Sequence, residues 1–360
     1  MEESNLNYFL ASNSGEGFVS CFEDNYSVWD GWRAYIIKGG PGTGKSSFMK
    51  KVASNAQAKG YNVEFCFCSS DPDSLDGVII KDIKAIVLDG TAPHTLEPKT
   101  VGVCEEIINL GEFWDSEKLR ATSKEILDVA AKNKTFHKTA SAYISVAAKL
   151  MYANFNLAKG FTNYKTCENF ATNLSARLLP EKRQKTAKEY TRFLAGVTPK
   201  GVVTFTDTVE NFYKNIIVID DKYGFVANMI MQKIREKSQA LGYEIITLKN
   251  PFLPSKIIDH ILIPELSMAF VREYEYMKFS GNHRRIHATR FCDINLLREH
   301  RSRITLNNRI VRELLITATS TLEDAKLLHD ELEKYYITAM DFDALTKFIE
   351  KRAEKILNKK

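Results

Sequence analysis

Short, unbroken apolar runs separated by turn chemistry organise the first hundred residues. Ala34-Tyr35-Ile36-Ile37 leads into Lys38 and a glycine cluster, residues 62–68 (NVEFCFC) form a second run, and Ala85-Ile86-Val87-Leu88 ends in Asp89. Runs of this length and make-up predict strands buried on both faces, as in a parallel sheet. Between the first two, Phe48, Met49, Val52, Ala53 and Ala56 recur at helical spacing, and Gly60 can end the helix. Residues 123–188 and 307–360 are rich in Ala, Lys, Leu and Glu with few breakers, which predicts two helical regions. The chain thus reads as α/β with helical additions.

The turn after the first run carries chemistry. Gly39-Gly40-Pro41-Gly42-Thr43-Gly44-Lys45-Ser46, followed by Ser47, fits G-x-x-x-x-G-K-[ST]. Glycines let a backbone wrap around phosphates with its N–H groups inward, and the helix behind adds its positive end. Lys45 would then meet the β- and γ-phosphates, and the Ser46 hydroxyl would ligate Mg²⁺. Asp89, at the end of the third run, is placed to hold a metal-bound water, so Ser46 and Asp89 are the expected metal residues. Strand, cradle, helix, strand, apolar run and Asp in this order predict a P-loop NTPase fold with ATP and Mg²⁺ as ligands. Asp71, in the loop "CSSDPDSLDG", is a candidate for contacting water, metal or acceptor, with a turn as its alternative reading. Asp73 and Asp76 read better as structural. His94 is a second candidate for sensing the γ-phosphate or orienting water.

The same pattern then recurs without its chemistry. The first strand and helix align without gaps on "VIDDKYGFVANMIMQK", with identities at Gly42/Gly224, Met49/Met231, Lys51/Lys233, Gln57/Gln239, Gly60/Gly242 and Tyr61/Tyr243. Upstream, "FLASNSGEGFVS" parallels "FLAGVTPKGVVT"; downstream, "LDGVIIKDIKAIVL" parallels "IDHILIPELSMAFV". Three blocks in one order indicate an internal duplication, with modules expected at 1–190 and 191–360. In the second, Lys45, Gly44 and Ser46 face Ala227, Val226 and Asn228, and Asp89 finds no clear counterpart among Arg272-Glu273-Tyr274-Glu275. The second module is therefore expected to fold without binding a nucleoside triphosphate in the usual way, and to act as partner or regulator. Whether "NYFLAS" and "RFLAGV" each complete their own sheet or the other's is open.

Composition adds bounds. With 44% apolar and 26% charged residues in 360, the chain is globular, and no apolar stretch is long enough for a membrane span. Its start lacks the apolar core of a secretory signal. Six scattered cysteines in no metal-site spacing fit a reducing, cytoplasmic setting. The net charge of +5 does not by itself argue for nucleic acid. The segment from His283 to Arg312, however, holds Arg284, Arg285, Arg290, Arg298, Arg301, Arg303, Arg309 and Arg312. It reads as a solvated helical face, as a nucleic-acid or polyanion surface, or as the source of an arginine finger. A homo-oligomer is compatible with the sequence.

With "KGGPGTGKSS", "CSSDPDSLDGVII" and "VLDGTAPH" in one half and the weaker repeat in the other, the chain resembles an uncharacterised bacterial family of tandem P-loop ATPase-like proteins. The resemblance covers nearly the full length and implies ATP binding and a cytoplasmic location. A looser resemblance, through "SGEGFVSCFEDNYSVWDGWRAYIIKGGPGTGKSS", is to recombinase-like ATPases that include the circadian-clock ATPase. Those carry glutamates after the second strand where this chain has Ser69-Ser70-Asp71, which implies slow hydrolysis. The expected function is a slow Mg-ATPase; the alternatives are a small-molecule or nucleotide kinase and a nucleotide-gated binding module.

Overall fold

The computed structural model describes residues 5–93, 95–182 and 187–358. His94 lies outside them. The first module contains β1 (Leu6–Phe9), β2 (Ala11–Ser14), β3 (Gly17–Ser20), β4 (Arg33–Lys38), α1 (Lys45–Ala58), β5 (Glu64–Phe67), β6 (Leu75–Ile80), β7 (Ala85–Asp89) and β8 (Glu105–Asn109). Helices α2 (Ser116–Ala121), α3 (Ser123–Phe161) and α4 (Tyr164–Leu178) follow. The second contains β9 (Lys188–Arg192), β10 (Ala195–Thr198), β11 (Gly201–Thr204), α5 (Thr206–Phe212), β12 (Asn215–Asp220), α6 (Phe225–Leu241), β13 (Glu244–Lys249), β14 (Ile258–Ile263), β15 (Met268–Glu273) and β16 (Arg284–His287). Helices α7 (Ile294–Ala339) and α8 (Phe342–Asn358) close the chain.

The two six-stranded sheets have one topology. The order β1-β5-β6-β7-β4-β8 in the first recurs as β9-β13-β14-β15-β12-β16 in the second. Irregularities are copied too: the register shift after Cys66 in β5 recurs after Leu248 in β13. Lys84 and Ser267, each just before β7 and β15, share a left-handed backbone at φ 49° and 45°. The duplication read from sequence is therefore present in three dimensions.

The sheets are mainly parallel, as expected, with one antiparallel strand in each. β6 runs antiparallel to both β5 and β7, and β14 does the same in its sheet. β6 follows directly on the Asp/Ser/Pro/Gly loop and contains Gly77, so its strand signal is diluted. The starting strands each complete their own sheet, β1 beside β5 and β9 beside β13. The sheets then meet edge to edge through reciprocal bonds of 2.9 Å between the Phe9 and Phe193 backbones. At that seam the fully buried Arg192 pairs with Glu64 at 2.7 Å and lies over the Tyr8 ring. One apolar core runs through both sheets there, from Tyr8, Ile36 and Leu88 to Leu194, Val218 and Val271.

The helices tie the halves together by crossing over. Apolar Cys167, Ala171 and Leu174 of α4 pack on Val226, Ile230 and Ile234 of α6 in the second module. Reciprocally, Leu345, Ile349 and Ala353 of α8 pack on Phe48, Met49 and Val52 of α1 in the first. The long α3 and α7 run antiparallel between them, with Ala140, Ile144, Ala147 and Ala148 against Ile304, Val311, Leu315 and Ala318. Small alanines along α3 permit that close approach.

Candidate functional site

The first crevice opens at the carboxyl ends of β4 and β7 and the amino end of the antiparallel β6, on the side at which open α/β sheets take ligands. β4 and β7 are hydrogen-bonded neighbours, with Ile37 beside Asp89, so the residues on from Ile37 and the Asp89 carboxylate meet. Lys45, the first residue of α1, places its Nζ 3.8 Å from Asp89 and donates to the carbonyls of Gly39 and Gly40 at 3.2 and 2.8 Å. Asp89 Oδ1 accepts from the Thr91 N–H at 2.8 Å, and the Thr91 hydroxyl donates to Gly39 O at 3.0 Å. Ser46 Oγ accepts from the Leu75 N–H at 3.1 Å, which leaves a lone pair for a cation.

Two glycines of the loop are dictated by its surroundings. A Cβ on Gly40 would lie 2.5 Å from the Tyr336 ring; one on Gly42, at φ +66°, would meet Ile337 and the Glu333 backbone at 3.0 and 3.1 Å. Both obstacles belong to α7. The last turns of α7 therefore roof the loop, and a crevice of about 400 Å³ is lined jointly by Lys45, Ser46, Asp71 and Asp89 below and by His329 and Glu333 above. No local signal in the sequence announces this roof.

The aspartates of the preceding loop separate in the structure. Asp71 lines the crevice and also makes the turn expected as its alternative: its carboxylate accepts from Ser74 Oγ at 2.7 Å and lies 3.8 Å from Lys326 of α7. Asp73 is exposed and pairs with Lys200 of the second module at 2.7 Å. Asp76, read from sequence as structural, is buried in the crevice wall. Burial pushes its carboxyl up to about 7 against the pull of Cys68 and Lys45.

The second crevice has the same floor plan and different chemistry. Register places Arg272 beside Ile219, as Asp89 lies beside Ile37, so the counterpart of Asp89 is an arginine. Its guanidinium sits over Gly224, where a Cβ would approach Arg272 Cζ to 2.9 Å. It donates to the carbonyls of Asp221 and Lys222 and pairs with buried Asp259 at 2.8 Å. Asp259 is the counterpart of Asp76, each being the second residue of its strand. Asp221, which replaces Gly39, turns its carboxylate into the loop and accepts from the N–H groups of Tyr223 and Ala227 at 3.0 and 2.9 Å. A built-in carboxylate and guanidinium thus occupy the loop that a triphosphate would need.

Next to this pair, buried His260 accepts from the Arg272 backbone N–H through Nδ1 at 3.1 Å. Burial, with Arg272 adding to it against Asp259, pushes its pKa down to about 4. A histidine held neutral when folded favours the native state fully above its unfolded pKa of about 6.5, and this contribution is lost as pH falls toward 4. Replacing His260 by Gln should flatten the fall in stability between those pH values by up to about 3 kcal/mol, read from urea denaturation across pH.

Among the described residues, none of the eight arginines of the basic segment lines the first crevice, so an intrachain finger from this segment has no support in the geometry. Arg285 pairs with Glu273, Arg312 with Glu275, and Arg290 lies over Phe170. Arg298, Arg301 and Arg309 stand exposed on α7. The six cysteines are unpaired, and no helix among the described residues is long and apolar enough to cross a membrane. Comparison with protein-family models, curated proteins and solved structures gives no match.

Proposed function

We propose that the first crevice is a P-loop site that binds Mg-ATP and hydrolyses it slowly, with the second module as a folded, non-catalytic partner. The observation that carries this reading is the meeting of Lys45 and Asp89, 3.8 Å apart, at the mouth of a loop whose glycines admit no side chain. Ser46 and Asp89 offer the hard oxygen donors that suit Mg²⁺, which when bound neutralises charge on the β- and γ-phosphates. The loop N–H groups and the start of α1 would hold the phosphate oxygens, and Lys45 would exchange its contacts with Gly39 and Gly40 for them. Asp71 is positioned to orient a water. The test is equilibrium binding of ATP with and without Mg²⁺: Asp89→Asn should lose about tenfold or more of the Mg²⁺-dependent affinity. Absence of ATP binding to the unaltered protein would overturn the reading.

One observation favours a second reading, a kinase. The Asp76 carboxyl, raised to about 7 in the crevice wall, is suited to take a proton from an acceptor hydroxyl near neutral pH. ADP release that rises on addition of an acceptor, with a phosphorylated product, would select this reading over hydrolysis.

A further inference from the structure

The amino-terminal half of α7 carries a row of side chains that the rest of the chain leaves unused. Arg298, Arg301, Ser302, Thr305 and Arg309 follow one another at helical spacing, so they share one side of the helix, and all five are exposed. Among the described residues, no hydrogen bond or ion pair engages any of these five side chains. The opposite side of the same stretch, with Ile304, Val311 and Leu315, is buried against α3. The row is therefore held outward by packing behind it.

A helical face that only meets solvent can satisfy its cations with carboxylates three or four residues away. Further along α7 this happens, where Lys326 pairs with Asp330. At the end of the row Arg312 is paired as well, with Glu275. Arg309 is not: Glu313 lies four residues on, yet no ion pair joins them. The neighbouring helix supplies no carboxylate either. Between Asp128 and Glu168 the chain has no acidic residue, and over that stretch α3 exposes Lys132, Lys134, Lys138, Lys149 and Lys159. Positive charge is thus presented here without its counter-charge.

The arrangement narrows the partner. Arg298 to Arg309 spans about 16 Å along the helix axis, more than one small anion can reach and suited to a polymer of phosphates. Helices that lie on membranes do so through an apolar face. In α7 that face is covered by α3, and Leu306 alone is apolar beside the row. Single strands are held by aromatic rings that stack on bases, and the row contains none. Arginine, serine and threonine side chains are among those that contact duplex phosphates. From this geometry we infer that this face of α7 binds the phosphate backbone of duplex nucleic acid without reading its sequence. The inference does not rest on ATP binding in the first crevice, which lies under the other end of α7.

Fluorescence anisotropy of a labelled DNA duplex of about 20 base pairs, titrated with the full chain over a range of salt, tests it. The duplex should bind at low salt, and affinity should fall with a log–log slope of about −3 or steeper, as three arginines on phosphates require. Replacing Arg298, Arg301 and Arg309 together by Gln, which keeps helix propensity, should leave thermal unfolding unchanged. That triple variant should bind at least about tenfold more weakly, with a slope shallower by about 3. Arg303→Gln, exposed on another side of α7, and Lys45→Ala in the first crevice should both bind as the unaltered chain does. The inference is overturned by absence of duplex binding at low salt, by full binding in the triple variant, or by an equal loss in Arg303→Gln or Lys45→Ala. Tighter binding of a single strand than of the duplex, or binding to phosphatidylserine-containing vesicles in place of DNA, would overturn it as well.

Discussion

Replacing Lys45 by alanine is expected to reduce ADP formation from Mg-ATP by at least about a hundredfold, the scale on which removal of one positioned transition-state contact acts. The ammonium lies between two loop carbonyls and Asp89, so it is held where phosphate charge would arrive, and only part of it reaches solvent. The substitution should not unfold the helix it begins, because alanine is the best helix former and α1 is anchored by Phe48, Met49 and Val52 against α8. Thermal unfolding without nucleotide should therefore shift little, which separates lost chemistry from lost structure. The converse change, Ala227→Lys, should create no second active site, since Asp221 and Arg272 already fill the equivalent loop. Turnover retained in Lys45→Ala would sink the hydrolysis proposal.

Local pattern made much of the scaffold legible. The five apolar residues predicted to line one side of the first helix are the five buried residues of α1, and the run ending in Asp89 is β7. The duplication was readable because equivalent turns and strands kept equivalent residues. Three features were hidden for physical reasons. β6 is a strand by virtue of its neighbours, not of its own propensity, with a glycine at its centre. Asp76 resembled one more turn aspartate, and its distinctive property comes from burial, which depends on the folded whole. The roof over Gly40 and Gly42 is formed by Tyr336 and Ile337, almost three hundred residues away along the chain. Long-range packing of that kind leaves no periodic trace. Arg272 differs again: only strand register, Ile219 beside Arg272 and Ile37 beside Asp89, shows that the arginine is the counterpart of Asp89.

Arg272→Ala is expected to destabilise the protein by about 3–5 kcal/mol, the usual cost of stranding one member of a buried ion pair. Asp259, almost wholly buried, would keep the amide of Asn250 at 2.7 Å but lose its opposite charge. The carbonyls of Asp221 and Lys222 would lose their donor as well, and the Tyr274 ring would lose a cation 4.3 Å from its centre. Stranding, not simple loss of attraction, predicts a specific pattern. Arg272→Met combined with Asp259→Asn removes both charges at similar volume and should recover a large part of the loss, whereas Arg272→Met alone should not. Urea denaturation of the two single variants and the double variant measures this directly. A double variant no more stable than Arg272→Met would show that the guanidinium acts mainly through the loop carbonyls. A loss below about 1 kcal/mol in Arg272→Ala would show that the pair is not structural at all. With the expected pattern, the arginine that stands where the first module has Asp89 would be a structural plug, holding the second loop in its folded form.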